Sequence, residues 1–191
     1  MKIGLFFGSF NPVHNGHLII ANYICETTDL DKVWLVVSPQ NPLKSKETLL
    51  RDYDRLHLIN LALEYSQNLS ASNIEFKLPK PSYTIDTLIY LKEKHPEHQF
   101  TLIMGSDNLA TLHKWKNYEM LLRDYEIYVY LRRGFESNPY PENTNIHLLD
   151  FPYLDISATF IRENIKRGIS MQYFLPDAVW KYINDLNWYK K

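Results

Sequence analysis

Cysteine is almost missing from this chain: Cys25 is the single thiol in 191 residues. One cysteine excludes an intrachain disulfide framework and leaves no thiolate cluster for zinc. It lies on the apolar side of a predicted first helix and reads as core; a reducing, cytoplasmic compartment fits. Net charge is missing too. Lys and Arg number 21 and Asp and Glu 22, a balance of −1 with neutral His. That gives no global footprint for a nucleic-acid polymer or an anionic membrane, so any phosphate site must be built locally. No apolar run approaches the length needed to cross a bilayer. The apolar stretch at residues 3–7 is too short for a secretion signal, and no small-residue cleavage site follows it. There is no internal repeat and no G-x-G-x-x-G pattern of a dinucleotide-binding oxidoreductase. No Cys, Ser–His–Asp or Lys arrangement stands out as a covalent nucleophile, and no carboxylate cluster announces a protein-built metal site.

What is present is 45% hydrophobic and long enough to bury a core as one α/β domain over residues 1–191, with a helical part at 157–191. Homo-oligomerisation is left open. The chain turns on Gly8-Ser9-Phe10-Asn11-Pro12-Val13-His14-Asn15-Gly16-His17-Leu18. A short apolar run precedes it. Leu18, Ala21 and Cys25, with Ile20 and Ile24, follow at helical spacing, so it reads as strand, tight loop and helix. Such a loop carries free backbone N–H groups and the positive end of a helix dipole to one point, where an anion is favoured. His14 and His17, three apart at the helix start, look back over the same opening. The dipole disfavours an imidazolium there, and a neutral ring still donates one N–H, which suits a donor to phosphate better than a proton-abstracting base. Gly16 removes a side chain where a phosphate would approach the backbone. The competing reading is that one histidine caps the helix and the other packs.

These residues resemble the GxFxPxHxGH signature of the superfamily that transfers a nucleoside monophosphate from ATP or CTP. Three further segments resemble the bacterial nicotinate-nucleotide adenylyltransferase family: Pro81 to Leu88, Gly105-Ser106-Asp107-Asn108-Leu109 with Trp115, and Ile156-Ser157-Ala158-Thr159-Phe160-Ile161-Arg162. They occur in the family's order. The resemblance implies a Rossmann-like, doubly wound, mostly parallel sheet with helices on both faces. It implies adenylyl transfer from ATP to nicotinate mononucleotide, with Mg²⁺ arriving on ATP. It implies catalytic roles for His14, His17, Lys44 and Arg162. ATP contacts would come from Gly8, Ser9, Phe10, Gly16, Gly105, Asp107, Ser157 and Thr159, and acceptor contacts from Ser82, Tyr83, Thr84 and Trp115. Family members usually have Ser where this chain has Ala158, which removes one side-chain contact and leaves backbone donation intact.

Along the chain, residues 32–37 read as a buried parallel strand, followed by a loop with two prolines that holds Lys44. Residues 53–65 read as a helix with Leu56, Ile59, Asn60 and Leu63 on one side, and residues 74–76 as a short strand. A helix opens at residues 81–84, with Ser82 or Thr84 as N-cap, and stops at Pro96. Residues 100–104 are the next buried strand; Asp107 at its carboxyl end is a candidate cap as well as a ligand. Trp115 sits among polar residues, where a ring often offers one face to a ligand; packing at a domain edge is the plainer reading. Residues 127–131 and 146–149 are strands, with Arg132-Arg133 after the first, solvent-facing or near the phosphates. A helix from residue 157 to 167 ends at Gly168, and residues 177–189 form an amphipathic tail with Val179, Ile183 and Leu186 inward. The rival readings are a related adenylyl- or cytidylyltransferase with another phosphate acceptor, and a sensor that holds ATP without turnover.

Overall fold

A computed structural model describes residues 1–39 and 49–190. Six strands form one sheet: β1 (Lys2–Gly8), β2 (Lys32–Val37), β3 (Leu69–Ser72), β4 (Gln99–Gly105), β5 (Ile127–Tyr130) and β6 (Ile146–Leu149). Their order is β3-β2-β1-β4-β5-β6, and every pairing is parallel. This is the doubly wound Rossmann arrangement. Its strand order reverses between β1 and β4, where the carboxyl ends of the strands leave a crevice for ligands.

Side chains alternate across the strands and fill two cores. Phe6, Val33, Leu35, Val37, Ile103, Tyr128 and Tyr130 face α1 (Asn15–Thr27), α2 (Asp52–Ala62), α6 (Ala158–Lys166) and α7 (Asp177–Asp185). Ile3, Leu5, Val36, Leu102, Met104, Ile127 and Val129 face α3 (Thr84–Lys94), α4 (Ser106–Ala110) and α5 (Tyr118–Asp124). Strands covered on both faces are apolar throughout, which is why β2, β4 and β5 are continuous apolar runs in the sequence.

Five local expectations change. The strand expected at residues 74–76 is a short 3₁₀ turn, Ile74–Lys77, and the strand is Leu69–Ser72. It is an edge strand with one partner, so small and polar residues suffice and the propensity signal is weak. The second helix buries Ile59, and Leu63 just past its end, as expected, but Arg55 and Leu58 join them in the core while Leu56 is half-buried and Asn60 exposed. Neither Ser82 nor Thr84 caps α3: the cap position is Tyr83, without a side-chain bond, and Ser82 donates to Glu75 at 2.9 Å. Gly105 occupies the cap position of α4 in place of Asp107, and Leu186 lies past the end of α7, half exposed.

Leu102, on β4 between β1 and β5, is 1% exposed. Leu102→Ala is expected to lower unfolding stability by about 3 kcal/mol through lost contacts and a residual cavity; urea denaturation should give a lower midpoint with an unchanged slope.

Candidate active site

The loop after β1 turns sharply enough to hold Phe10 at φ 46°, in the left-handed region, with the ring buried. That ring packs edge-on to His17, centroids 4.9 Å apart, and forms the floor of the loop. His14 is the N-cap of α1. His17 N–H donates to His14 Nδ1 at 3.4 Å, and His14 N–H donates to His17 Nδ1 at 3.3 Å. This is a capping box built from imidazoles: the His14 N–H donates to a ring nitrogen, and the His17 N–H is shared between the His14 carbonyl at 2.9 Å and His14 Nδ1. The rings stack at 3.6 Å. The capping and ligand-facing readings are therefore compatible. Because each Nδ1 accepts a hydrogen bond, the ring proton resides on Nε2 and that nitrogen is the donor. Burial pushes His14 down to about 3, with the Arg132 charge acting in the same direction. It is a neutral donor at physiological pH.

His14 and His17 line a cleft of about 370 Å³ at the carboxyl rim of the sheet, within the usual size of a ligand site. The opposite wall is the start of α6. Ser157 caps it, its Oγ accepting from Phe160 N–H at 3.2 Å. Arg162 donates through Nη1 to the Asn11 carbonyl at 2.8 Å and through Nη2 to Thr159 Oγ1 at 3.2 Å. Two helix starts thus face one space, and each supplies backbone donors and a positive dipole end. The third wall comes from the loops after β4 and β5: Asp107, Asn108, Trp115, Tyr130 and Arg132. Arg132 Nε lies 3.8 Å from Asp107 Oδ1. Both atoms are buried and have no hydrogen-bond partner among the described residues. A carboxylate oxygen and a guanidinium nitrogen left unsatisfied at a cleft wall fit a ligand carrying both phosphate and cation.

Of the residues expected from the sequence, Gly8, Ser9, Phe10, His14, His17, Asp107, Trp115, Ser157, Thr159 and Arg162 line this cleft, and so does Ala158. Gly16 and Gly105 do not. A Cβ on Gly16 would lie 3.0 Å from His14 Nδ1, and one on Gly105 would lie 2.4 Å from Asp107 Oδ1. Their missing side chains make room for a histidine ring and a carboxylate. Ser82, Tyr83 and Thr84 stand outside the cleft at the start of α3, where Tyr83 carries Lys116 Nζ 4.9 Å above its ring. Lys44 lies outside the described residues. Sequence reasoning left Arg132 undecided, and it is the inward member of its pair; Arg133 is exposed and meets Asp155 at 3.4 Å. Asn11, whose carbonyl receives Arg162, was passed over inside the motif that contains it. Among the described residues, one group of metal-ligating types sits together (His95, Glu97 and His98). It precedes β4, at the opposite rim of the sheet.

A profile described as cytidylyltransferase-like matches residues 5–164. The chain is 56% identical over 193 residues to a protein of Flavobacterium psychrophilum named "Probable nicotinate-nucleotide adenylyltransferase", with all of both chains covered. It is 55% identical over 197 residues, again covering both chains fully, to one of the same name from Flavobacterium johnsoniae. Its fold is similar to that of the nicotinic acid mononucleotide adenylyltransferase of Plasmodium falciparum solved with NaAD, with TM-score 0.85 and 20% identity over 99% of this chain and 97% of that one.

The depressed His14 sets an expectation for stability. Below pH 6.5 the unfolded imidazole takes a proton that the folded one refuses, down to about pH 3. Stability therefore falls as pH drops through that window, by up to about 1.4 kcal/mol per pH unit. Urea titrations of wild type and His14→Gln across pH 7 to 4 should show the variant losing stability less steeply; parallel slopes would mean that His14 titrates normally.

Proposed function

The chain belongs to the cytidylyltransferase-like family and stands among its nicotinate-nucleotide adenylyltransferases; we infer that it moves AMP from ATP to nicotinate mononucleotide, forming deamido-NAD and pyrophosphate in NAD biosynthesis. The observation that carries the site assignment is the convergence of His14 and His17 at one helix start with Ser157, Thr159 and Arg162 at another, across one cleft. An acceptor phosphomonoester has a second pKa of about 6, so it arrives largely as the dianion. It needs no general base. An acceptor oxygen attacks the α-phosphorus in line, a new P–O bond forms, and the bond between the α-phosphorus and its bridging oxygen breaks. The electron pair leaves on pyrophosphate.

Catalysis is then a matter of alignment and charge. Neutral His14 and His17 donate from Nε2 to oxygens on which charge grows, and the start of α1 adds backbone donors. The start of α6 and the Arg162 fork receive the triphosphate from the other side. Trp115 offers a ring face to the nicotinate base. Lys44 is assigned to the phosphates by family resemblance alone. When Mg²⁺ is bound with ATP it would supply neutralisation of the triphosphate, and Asp107, whose Oδ1 has no hydrogen-bond partner among the described residues, is the residue suited to hold it. The compartment is cytoplasmic in this reading, in keeping with a lone thiol; no helix among the described residues is long and apolar enough to cross a membrane.

His17→Ala is expected to lower kcat roughly 10²–10³-fold, the scale for losing one preorganised oxyanion donor, in a pyrophosphate-release assay. Unchanged turnover in the folded variant would remove His17 from the mechanism. Run with nicotinate mononucleotide, nicotinamide mononucleotide and a pantetheine phosphate, the same assay should give fastest turnover with the first. Trp115→Ala should raise KM for that acceptor and leave KM for ATP nearly unchanged.

A further inference from the structure

The largest of the fully buried side chains is a charged one, Arg55 in the first turn of α2, 0% exposed. A guanidinium has five N–H donors, and here each has an acceptor. Nε donates to the Leu50 carbonyl at 3.1 Å, and Nη1 to the Ser9 carbonyl and to the Ser38 carbonyl at 3.0 Å. Nη2 donates to the Pro39 carbonyl at 3.4 Å and to Asp52 Oδ1 at 2.8 Å. Four of the five acceptors are backbone carbonyls on three separate pieces of chain: the first loop, the end of β2 and the approach to α2. Ser9 is itself a wall of the cleft. Desolvating a cation is costly unless hydrogen bonds replace its water, so the three pieces and the fork hold one another. An apolar residue on this face of α2 would serve the core; only a planar fork with five donors reaches all these carbonyls at once.

We propose that Arg55 is a positioning residue for adenylyl transfer: it locks the first loop to the rim beside it and so holds the two imidazoles in line with the opposite wall. It acts through Ser9 and is not assigned a contact with substrate. The inference rests on the adenylyl-transfer reading given above. A shift of about 1 Å in a reacting geometry is enough to cost on the order of 10²-fold in rate.

Arg55→Lys keeps the charge but concentrates its donors on one nitrogen, which cannot reach three stretches of chain. Val179→Ala, in the core of α7 away from the cleft, supplies a destabilised control. For both variants Tm, kcat, KM for ATP and amide hydrogen exchange of residues 8–14 are measured. Arg55→Lys is expected to lose about 10- to 100-fold in kcat, keep KM for ATP within about 3-fold, and exchange faster in residues 8–14. Val179→Ala should lose Tm alone. An Arg55→Lys protein that matches the control in both kcat and loop exchange overturns the proposal. Should Arg55→Lys not fold, Asp52→Asn loosens the same guanidinium. Lys80→Ala removes the other partner of Asp52, Lys80 Nζ at 3.2 Å, and serves as its control. The expected split is then about 3- to 10-fold in kcat, with the same loop signature. Exchange needs no substrate. A wild-type enzyme inert toward nicotinate mononucleotide would therefore sink the assigned reaction, while the loop data would still decide for or against Arg55.

Discussion

The site depends on two hydrogen bonds that are individually unremarkable: the backbone N–H groups of His14 and His17, each donated to the other residue's Nδ1. A helix start leaves backbone donors short of partners, and here imidazoles supply acceptors, the His17 N–H dividing its bond between the His14 carbonyl and the His14 ring. The cost is that each ring loses its choice of tautomer. The gain is that both rings are fixed in position with the proton on Nε2, and burial keeps His14 neutral. A neutral, oriented N–H is suited to an oxygen that gains charge during reaction and unsuited to removing a proton. The acceptor's chemistry agrees, since a phosphate dianion brings its own nucleophilic oxygen.

The sheet turns this local arrangement into a site. Strand order reverses between β1 and β4, so the chain leaving β1 and the chain leaving β4 turn to opposite faces and open a gap at the rim. The imidazole loop occupies one side of that gap and Asp107 with Trp115 the other. α6 closes it from the same face as α1, tied across by Arg162 to Asn11. Beneath the rim, Arg55 ties Ser9 to the end of β2 and Glu75 accepts from Ser82 and Thr87. Burial raises the Glu75 carboxyl, and hydrogen bonds from Thr87, Ser82 and Ser38 oppose that rise. A buried guanidinium and a buried carboxyl group under a ligand-binding rim are costly as packing, and a fixed rim is what they provide.

How much of this was legible in the sequence follows from how local each signal is. The buried strands β1, β2, β4 and β5 are continuous apolar runs, and the parallel sheet follows from them. The motif histidines and the Ser157 cap are helix-start chemistry contained within a few residues. β3 was misplaced because an edge strand of Leu, Ser, Ala and Ser carries little β signal. Gly16 was read as making room for a phosphate, because sequence does not show which neighbour lies against it; His14 does, as Asp107 lies against Gly105. Arg55 was legible in principle, as an Arg three and four residues before Leu58 and Ile59 on one helix face. Its acceptors, however, are backbone carbonyls, which no residue letter encodes. Arg132 was left undecided between solvent and cleft, because only the turn after β5 determines which of two adjacent arginines points inward.

The central claim is that Nε2 carries the proton on both His14 and His17 because the helix start occupies Nδ1. Imidazole ¹⁵N NMR of the uniformly labelled protein at pH 7 tests it most directly. The account predicts two rings with an unprotonated, hydrogen-bond-accepting Nδ1 and a protonated Nε2. A proton on Nδ1 of either ring, or an imidazolium at His14, would contradict it.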